Sequence, residues 1–512
     1  MKHRMVLLAG GVVAGLAGVT LHAATAWFGL PLPNGIGDPH KAVIDVRRVQ
    51  AQSAAVPEGE ERFKELSGAR IQRDVATIVD FSRQSFKEGN KVWGRVTGFP
   101  SAKATVEWSA EQFKAAGLKD VAVQEYAAAP DSAMWWATDW EVRVIGNAKF
   151  GESSRDVVLQ SAVPTSGSMI DGDSISGALV HVGAITEATL PDVDVKGKIA
   201  VQHLKPARGA FSERPRTVER AKELTARGAI AILNVVEQTG NMHVRDFGNC
   251  GAPCFNVGTA DGLFIEQAIQ RAAAANAEPV QVKLKLDARR LTGLKGHNAI
   301  GIVPGKSDEN IIVNAHADGW YDAAGDNADG LAVLLAMARH FAKPENQPER
   351  TLVFVSSGGH HSTGLNGPAN VVKSNPALVA KTVMVLNLEH IAQLEITSND
   401  WHVKPNEQPM NFGIDNSAPY LLDLGKRAVQ RYGFNLNPIF TTSVSGDLGG
   451  YAPLGVARVQ AIHSGPMYHT SGDVLETISV PGLERAARFY TYFITEAAKA
   501  PREQINPAKK SE

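Results

Sequence analysis

The sequence predicts an α/β protein: a mostly parallel mixed sheet with helices on both faces, interrupted by an inserted, mostly-β module. Two patterns predict it. From about residue 289 onward, short β-branched apolar runs alternate with amphipathic segments. Runs of that kind are buried on both faces, as in a sheet covered by helices. Between about 151 and 288 the texture changes to short strands that begin on glycine.

Taken in order, residues 1–26 carry Lys2 and Arg4, an uncharged apolar run from Met5 to Leu21, and Ala24-Thr25-Ala26. That is the layout of a secretory signal, with export to a periplasmic or extracellular space as the expectation. An uncleaved membrane anchor is the alternative. Residues 27–60 form an irregular lead-in rich in Pro and Gly. Residues 61–150 hold two helical segments and then the strand "GLKDVAVQEYAAAP". In the 151–288 module, "GALVHVG", "GKIAVQHL" and "GAIAILNVV" are strands. "TVERAKELTARG" between the last two is a helix that stops on Gly228. Residues 289–500 read strand "NIIVNA", helix "GLAVLLAMARHFAK", strand "TLVFVSS", helix "GPANVVKS" and strand "KTVMVLNL". Helix "APYLLDLGKRAVQRYG", strand "GVARVQAI" and a terminal helix from Pro481 follow, then a polar tail at 501–512.

Bulk properties exclude some classes. With 44% hydrophobic and 21% charged residues the chain is globular rather than disordered. A formal net charge of −1 gives no basic excess for nucleic acid. The only cysteines, Cys250 and Cys254, are too few for a zinc site and suit a local disulfide in an exported protein.

The chemistry sits after the strands. In sheets of this kind ligands bind beyond the carboxyl ends of the strands. There the sequence places His316 and Asp318, then Asp326 in "GDNADG", then His360 and His361, then Glu389 and His390, then His463, His469 and Asp473. Imidazole and carboxylate are the ligands zinc uses. Two such ions about 3.5–4 Å apart can share a carboxylate and activate water.

His316-x-Asp318, "GDNADG", "NLEH" and "YHTSGD", in this order, resemble the zinc aminopeptidases and carboxypeptidases of the M28 metallopeptidase family. The 151–288 module resembles a protease-associated domain. The resemblance implies a zinc-exopeptidase-like fold, a peptide substrate and one or two zinc ions per chain. It implies His316, Asp326 and Glu389 on the first ion, with Asp326 bridging and Asp318 orienting His316. Glu389 stands where the family usually has Asp. His469 would bind the second ion, and Asp447, Tyr451 and Tyr468 would lie near the substrate.

One stretch departs from the family. Its usual Glu-Glu-x-Gly-Leu-x-Gly supplies the general base and a ligand of the second zinc. Here "HHSTGLNGP" aligned on Gly364-Leu365 and Gly367 puts His361 and Ser362 at those positions, and Thr351–Leu388 contains no Asp or Glu. The first expectation is that the two histidines take over, His361 as base and His360 as a metal ligand. A second is that only the first metal site survives. A third is a catalytically impaired relative that serves as a peptide-binding or scaffold protein.

Overall fold

A computed structural model describes residues 26–206, 209–397, 402–442 and 444–507. Residues 1–25, in the stretch read as a secretory signal, and residues 508–512 of the polar tail lie outside the described residues.

The larger domain is a mixed eight-stranded sheet. Its strands run across the sheet as Leu436–Phe440, Met410–Ile414, Ala457–Ala461, Thr382–Leu388, Ser307–His316, Arg350–Ser357, Lys295–Val303 and Lys119–Ala127. The middle four, Ala457–Ala461 to Arg350–Ser357, are mutually parallel. Antiparallel neighbours close both flanks.

The two-residue period of a strand explains the layering. Ile311, Val313, Ala315, Leu352, Phe354, Met384 and Leu386 point into the major core, against helices Gly68–Lys87, Pro100–Ala116, Asp329–Phe341 and Val480–Lys499. The residues between them, Ile312, Val353, Val355 and Val385, point to the other face and pack with Val371, Leu448 and Tyr451. Helix Asp329–Phe341 is buried on nearly every side, as its sequence "DGLAVLLAMARHF" requires.

A second eight-stranded sheet lies in the inserted region. Ile175–Ala184, Ile199–Leu204, Ala231–Val236 and Cys254–Val257 are parallel neighbours in it. It reaches past the limits of 151 and 288 read from the sequence, because Met134–Val144 pairs along its length with Gln281–Leu291. It also carries helices Arg214–Ala226 and Thr259–Ala274. The first ends where expected, with Gly228 in a left-handed conformation (φ 95°). Cys250 and Cys254 are paired as a disulfide.

Candidate metal centre

The parallel strands deliver their C-terminal residues to one place. His316 is the last residue of its strand, Glu389 follows Leu388, and His360 and His361 follow Ser357 by a short loop. Asp326 arrives on the turn before helix Asp329–Phe341. That turn is pinned by Asp473, whose carboxylate accepts the backbone N–H of Gly325 (2.8 Å) and Asp326 (3.0 Å) and the Gln393 amide (2.9 Å). Burial pushes the Asp473 carboxyl up to about 7. Beneath, the buried Arg95 guanidinium donates to the carbonyls of Ala317, Asp322 and Ala323 and fixes the loop after His316.

Asp326 is the centre of the cluster, and its two oxygens face different partners. Oδ1 lies 3.4 Å from His316 Nε2 and 3.0 Å from His390 Nε2. Oδ2 lies 3.2 Å from His361 Nε2 and 3.4 Å from His469 Nε2. Glu389 Oε1 completes the first group, 3.7 Å from His316 Nε2. Two sets of atoms close enough to share an ion result: His316, Asp326, Glu389 and His390, and Asp326, His361 and His469. One ligand atom each from His316, His360 and His361 also fall within such reach.

The nitrogens and oxygen aimed inward are buried without hydrogen-bond partners: His316 Nε2, His361 Nε2, His469 Nε2 and Glu389 Oε1. An unpaired buried polar atom costs about 1–3 kcal/mol, and four in one cavity are costly unless an ion satisfies them. The donor set of imidazoles and carboxylates fits zinc.

His316, His469 and His360 are each turned by a partner on Nδ1. His316 Nδ1 donates to the main-chain carbonyl of Asp318 (2.9 Å). His469 Nδ1 meets Asp246 Oδ1 (2.9 Å), and His360 Nδ1 meets Asp447 Oδ1 (2.9 Å). Such outer contacts fix which nitrogen is left free for a ligand. The Asp318 carboxylate takes the backbone N–H of His361 (3.0 Å) and of His360 (3.4 Å), so it holds the double-histidine loop. Burial opposes ionisation of Asp318, but His316, His361 and His360 outweigh it and hold the carboxyl well below the usual range.

The two histidines face different partners. His361, expected as base, presents its free Nε2 to Asp326 and His469. Burial, only partly offset by Asp326, pushes its ring down to about 4 and keeps it neutral. His360, expected as a ligand, stacks flat on His316 (centroids 4.1 Å apart) and is gripped by Asp447. Burial and His316 lower its basicity, but Glu389 and Asp447 raise it more, leaving a net upward shift. The two rings lie edge-on with centroids 4.7 Å apart, and His361 is the one within 3.2 Å of Asp326 Oδ2.

Asp447 and Tyr451 are not at a pocket mouth. Asp447 is buried and bonded to Asn314 (2.8 Å) and Ser357 (3.2 Å) as well as His360. Tyr451 is fully buried, its hydroxyl donating to Asn314 Oδ1 (3.0 Å). The strand turns Asn314 to the same face as Ile312, and both residues pack beneath it. Tyr468 does border the site, stacked on His469 at 3.6 Å and 5.1 Å from His390.

Two residues were given no role from sequence. His390 adjoins Glu389 in "NLEH" and contributes Nε2 to Asp326, while its Nδ1 donates to the His463 carbonyl. Burial disfavours its charge, yet Asp326 and Glu389 raise it to about 9. Asp246 comes from the inserted region, far from His469 in sequence, and no local pattern marks it.

Residues 298–494 match the model of Peptidase family M28. Aminopeptidase YwaD of Bacillus subtilis is 26% identical over 368 residues, covering 68% of this chain and 72% of that protein. A probable leucine aminopeptidase of Arthroderma otae is 25% identical over 226 residues, 40% of this chain and 58% of that one. Among solved structures, BSAP, a zinc aminopeptidase from Bacillus subtilis, superposes with TM-score 0.58 at 20% identity, over 86% of this chain and 98% of its own. A peptidase M28 precursor from Shewanella amazonensis gives 0.61 at 18% identity, over 85% and 96%.

Proposed function

We propose that this chain, whose residues 298–494 belong to peptidase family M28, is an exported zinc aminopeptidase in which histidines replace the family's glutamate pair. The observation that carries it is the division of Asp326: one oxygen faces His316 and the other faces His361 and His469. The first ion would be held by His316, Asp326 and Glu389 with His390 beside them, the second by Asp326, His361 and His469. Bound zinc supplies Lewis acidity to a peptide carbonyl and lowers the pKa of a water.

The protein's own part is orientation and proton transfer. Asp447 holds the Nδ1 proton of His360, so Nε2 is the atom that can accept a proton. That nitrogen lies 3.5 Å from Glu389 Oε1, at the edge of the first metal group. An imidazole so placed suits a general base near neutral pH. Gly446 makes room for it: a Cβ there would come within 3.1 Å of His360 Cε1 and 3.3 Å of Glu389 Oε2. Tyr468 and the exposed Phe211, 5.3 Å apart, form an aromatic edge beside His469 suited to an apolar substrate side chain. Aminopeptidase rather than carboxypeptidase action rests on the relatives' activity. Export rests on residues 1–26 and on the Cys250–Cys254 disulfide. The inserted region, read as a protease-associated domain, would serve as the wall that supplies Asp246.

The test is hydrolysis of aminoacyl p-nitroanilides by the zinc-loaded chain, with blocked N-terminal analogues as controls. Release from free but not blocked substrates is expected. No release from any of them, with zinc bound, would favour the second reading, a peptide-binding relative, to which the acid-free stretch Thr351–Leu388 also points.

A further inference from the structure

A second metal-capable cluster lies in the inserted region, formed by residues that play no part around Asp326. His181 stands on strand Ile175–Ala184 and His203 on the adjacent strand Ile199–Leu204. Glu266 reaches them from helix Thr259–Ala274, and Glu237 follows strand Ala231–Val236. Ligand atoms of His181, His203 and Glu266 lie within 4.8 Å of one another.

His203 is the telling residue. It is only 5% exposed, and its Nε2 is buried without a hydrogen-bond partner. Its Nδ1 is engaged by Glu237 Oε1 at 3.0 Å. That contact leaves the lone pair on Nε2, the carboxylate–histidine arrangement that serves metal ligands. Nε2 points to Glu266 Oε2, 3.8 Å away, too long for a hydrogen bond but short enough for both atoms to share an ion. The His181 ring meets the His203 ring edge-on with centroids 5.0 Å apart, as two imidazoles converging on one point do. Burial, helped by His203 and opposed by Glu266 and Glu187, holds the His181 ring below its ordinary value, in the neutral form a metal requires.

We propose that His181, His203 and Glu266 form a separate zinc site, with Glu237 orienting His203 and water completing the shell. Two imidazoles and a carboxylate are a borderline donor set that suits zinc over calcium or magnesium. The ion would tie two neighbouring strands to the helix covering them. The site is independent of the peptidase reading.

The test is zinc stoichiometry by elemental mass spectrometry on the full chain carrying Asp326→Ala and His316→Ala, which together take a ligand from each candidate group of the active centre. After zinc loading and dialysis, one zinc per chain is expected, falling to none when Glu266→Gln or His203→Gln is added. A doubly substituted chain that folds and holds no zinc overturns the proposal, as does zinc that survives both added substitutions. If the doubly substituted chain does not fold, the count is read as a difference in the otherwise unaltered chain. There Glu266→Gln and His181→Gln should each remove one zinc equivalent and leave peptidase activity unchanged. An undiminished count overturns the proposal.

Discussion

Asp246 offers the sharpest single perturbation of the active centre. Its Oδ1 meets His469 Nδ1 at 2.9 Å, its other oxygen has no hydrogen-bond partner, and its main-chain carbonyl is held separately by Asn256. The backbone N–H of Arg245 still anchors the His469 carbonyl (2.8 Å) when the carboxylate is gone. Asp246→Ala therefore removes one contact and leaves the loop in place. Loss of an outer partner of a metal-bound histidine typically costs about 10–100-fold in metal affinity, or about 1.4–2.7 kcal/mol. Asp246→Asn keeps an oxygen that can accept the same N–H, but without the charge that makes such bonds roughly twice as strong. Its loss should fall between those of wild type and Ala. Zinc affinities measured by competition with a chromophoric chelator should show one ion weakened in that order, with the ion at His316 unaffected. Equal affinities in all three proteins, or equal loss at every ion, would refute the assignment of His469 to a distinct second site.

Other outcomes follow from the same geometry. His360→Ala should lower kcat by about 10²–10⁴ with zinc content unchanged, whereas His361→Ala should release one zinc equivalent; the two are separated by metal analysis alongside turnover. Glu65 gives a pH dependence for the fold. Burial pushes its carboxyl up, but hydrogen bonds from His340 and Lys343 outweigh it and leave it at about 2 against an ordinary 4.5. A depressed carboxylate stabilises above its unfolded pKa, so this contribution is intact above about pH 4.5 and fades as pH falls towards 2. It is worth about 2 kcal/mol after discounting for the part-exposed Lys343, and Glu65→Gln should flatten the fall of Tm across that window. Arg485 is 2% exposed, paired with the buried Glu407, and donates to the carbonyls of Gln52 and Ser53. Arg485→Ala strands that carboxylate and should cost about 3–5 kcal/mol in denaturant unfolding.

What the sequence disclosed and what it concealed have one physical cause. The apolar runs of the central strands are legible because two-sided burial demands them, and His316 and Glu389 are legible because each follows its run directly. Positions relative to a strand end survive in one dimension. Directions do not. His360 and His361 are adjacent, and which of them faces Asp326 depends on backbone angles fixed by Asp318 and by the Thr97 hydroxyl beneath Gly359. The family resemblance set Tyr451 near the substrate, yet the alternation that turns Asn314 to its face buries it. Asp246 was hidden for a different reason: its partner is 223 residues away, in the loop after strand Ala457–Ala461.

If histidines take the place of the family's glutamate pair, as proposed, charge is displaced rather than lost. Around Asp326 the chain gathers imidazoles, and two of them carry an acid on the far nitrogen. Asp447 stands behind His360, Asp246 behind His469, and Asp318 beneath the loop of His360 and His361. Two of these acids come from distant segments, one of them in the inserted region. An imidazole ligand needs such backing because it brings no negative charge of its own, and a carboxylate on its far nitrogen raises its strength as a donor. On this account the outer acids carry the work that carboxylate ligands would do directly. Removing Asp447 or Asp246 should therefore weaken the centre more than outer-shell changes do where the ligands are themselves charged.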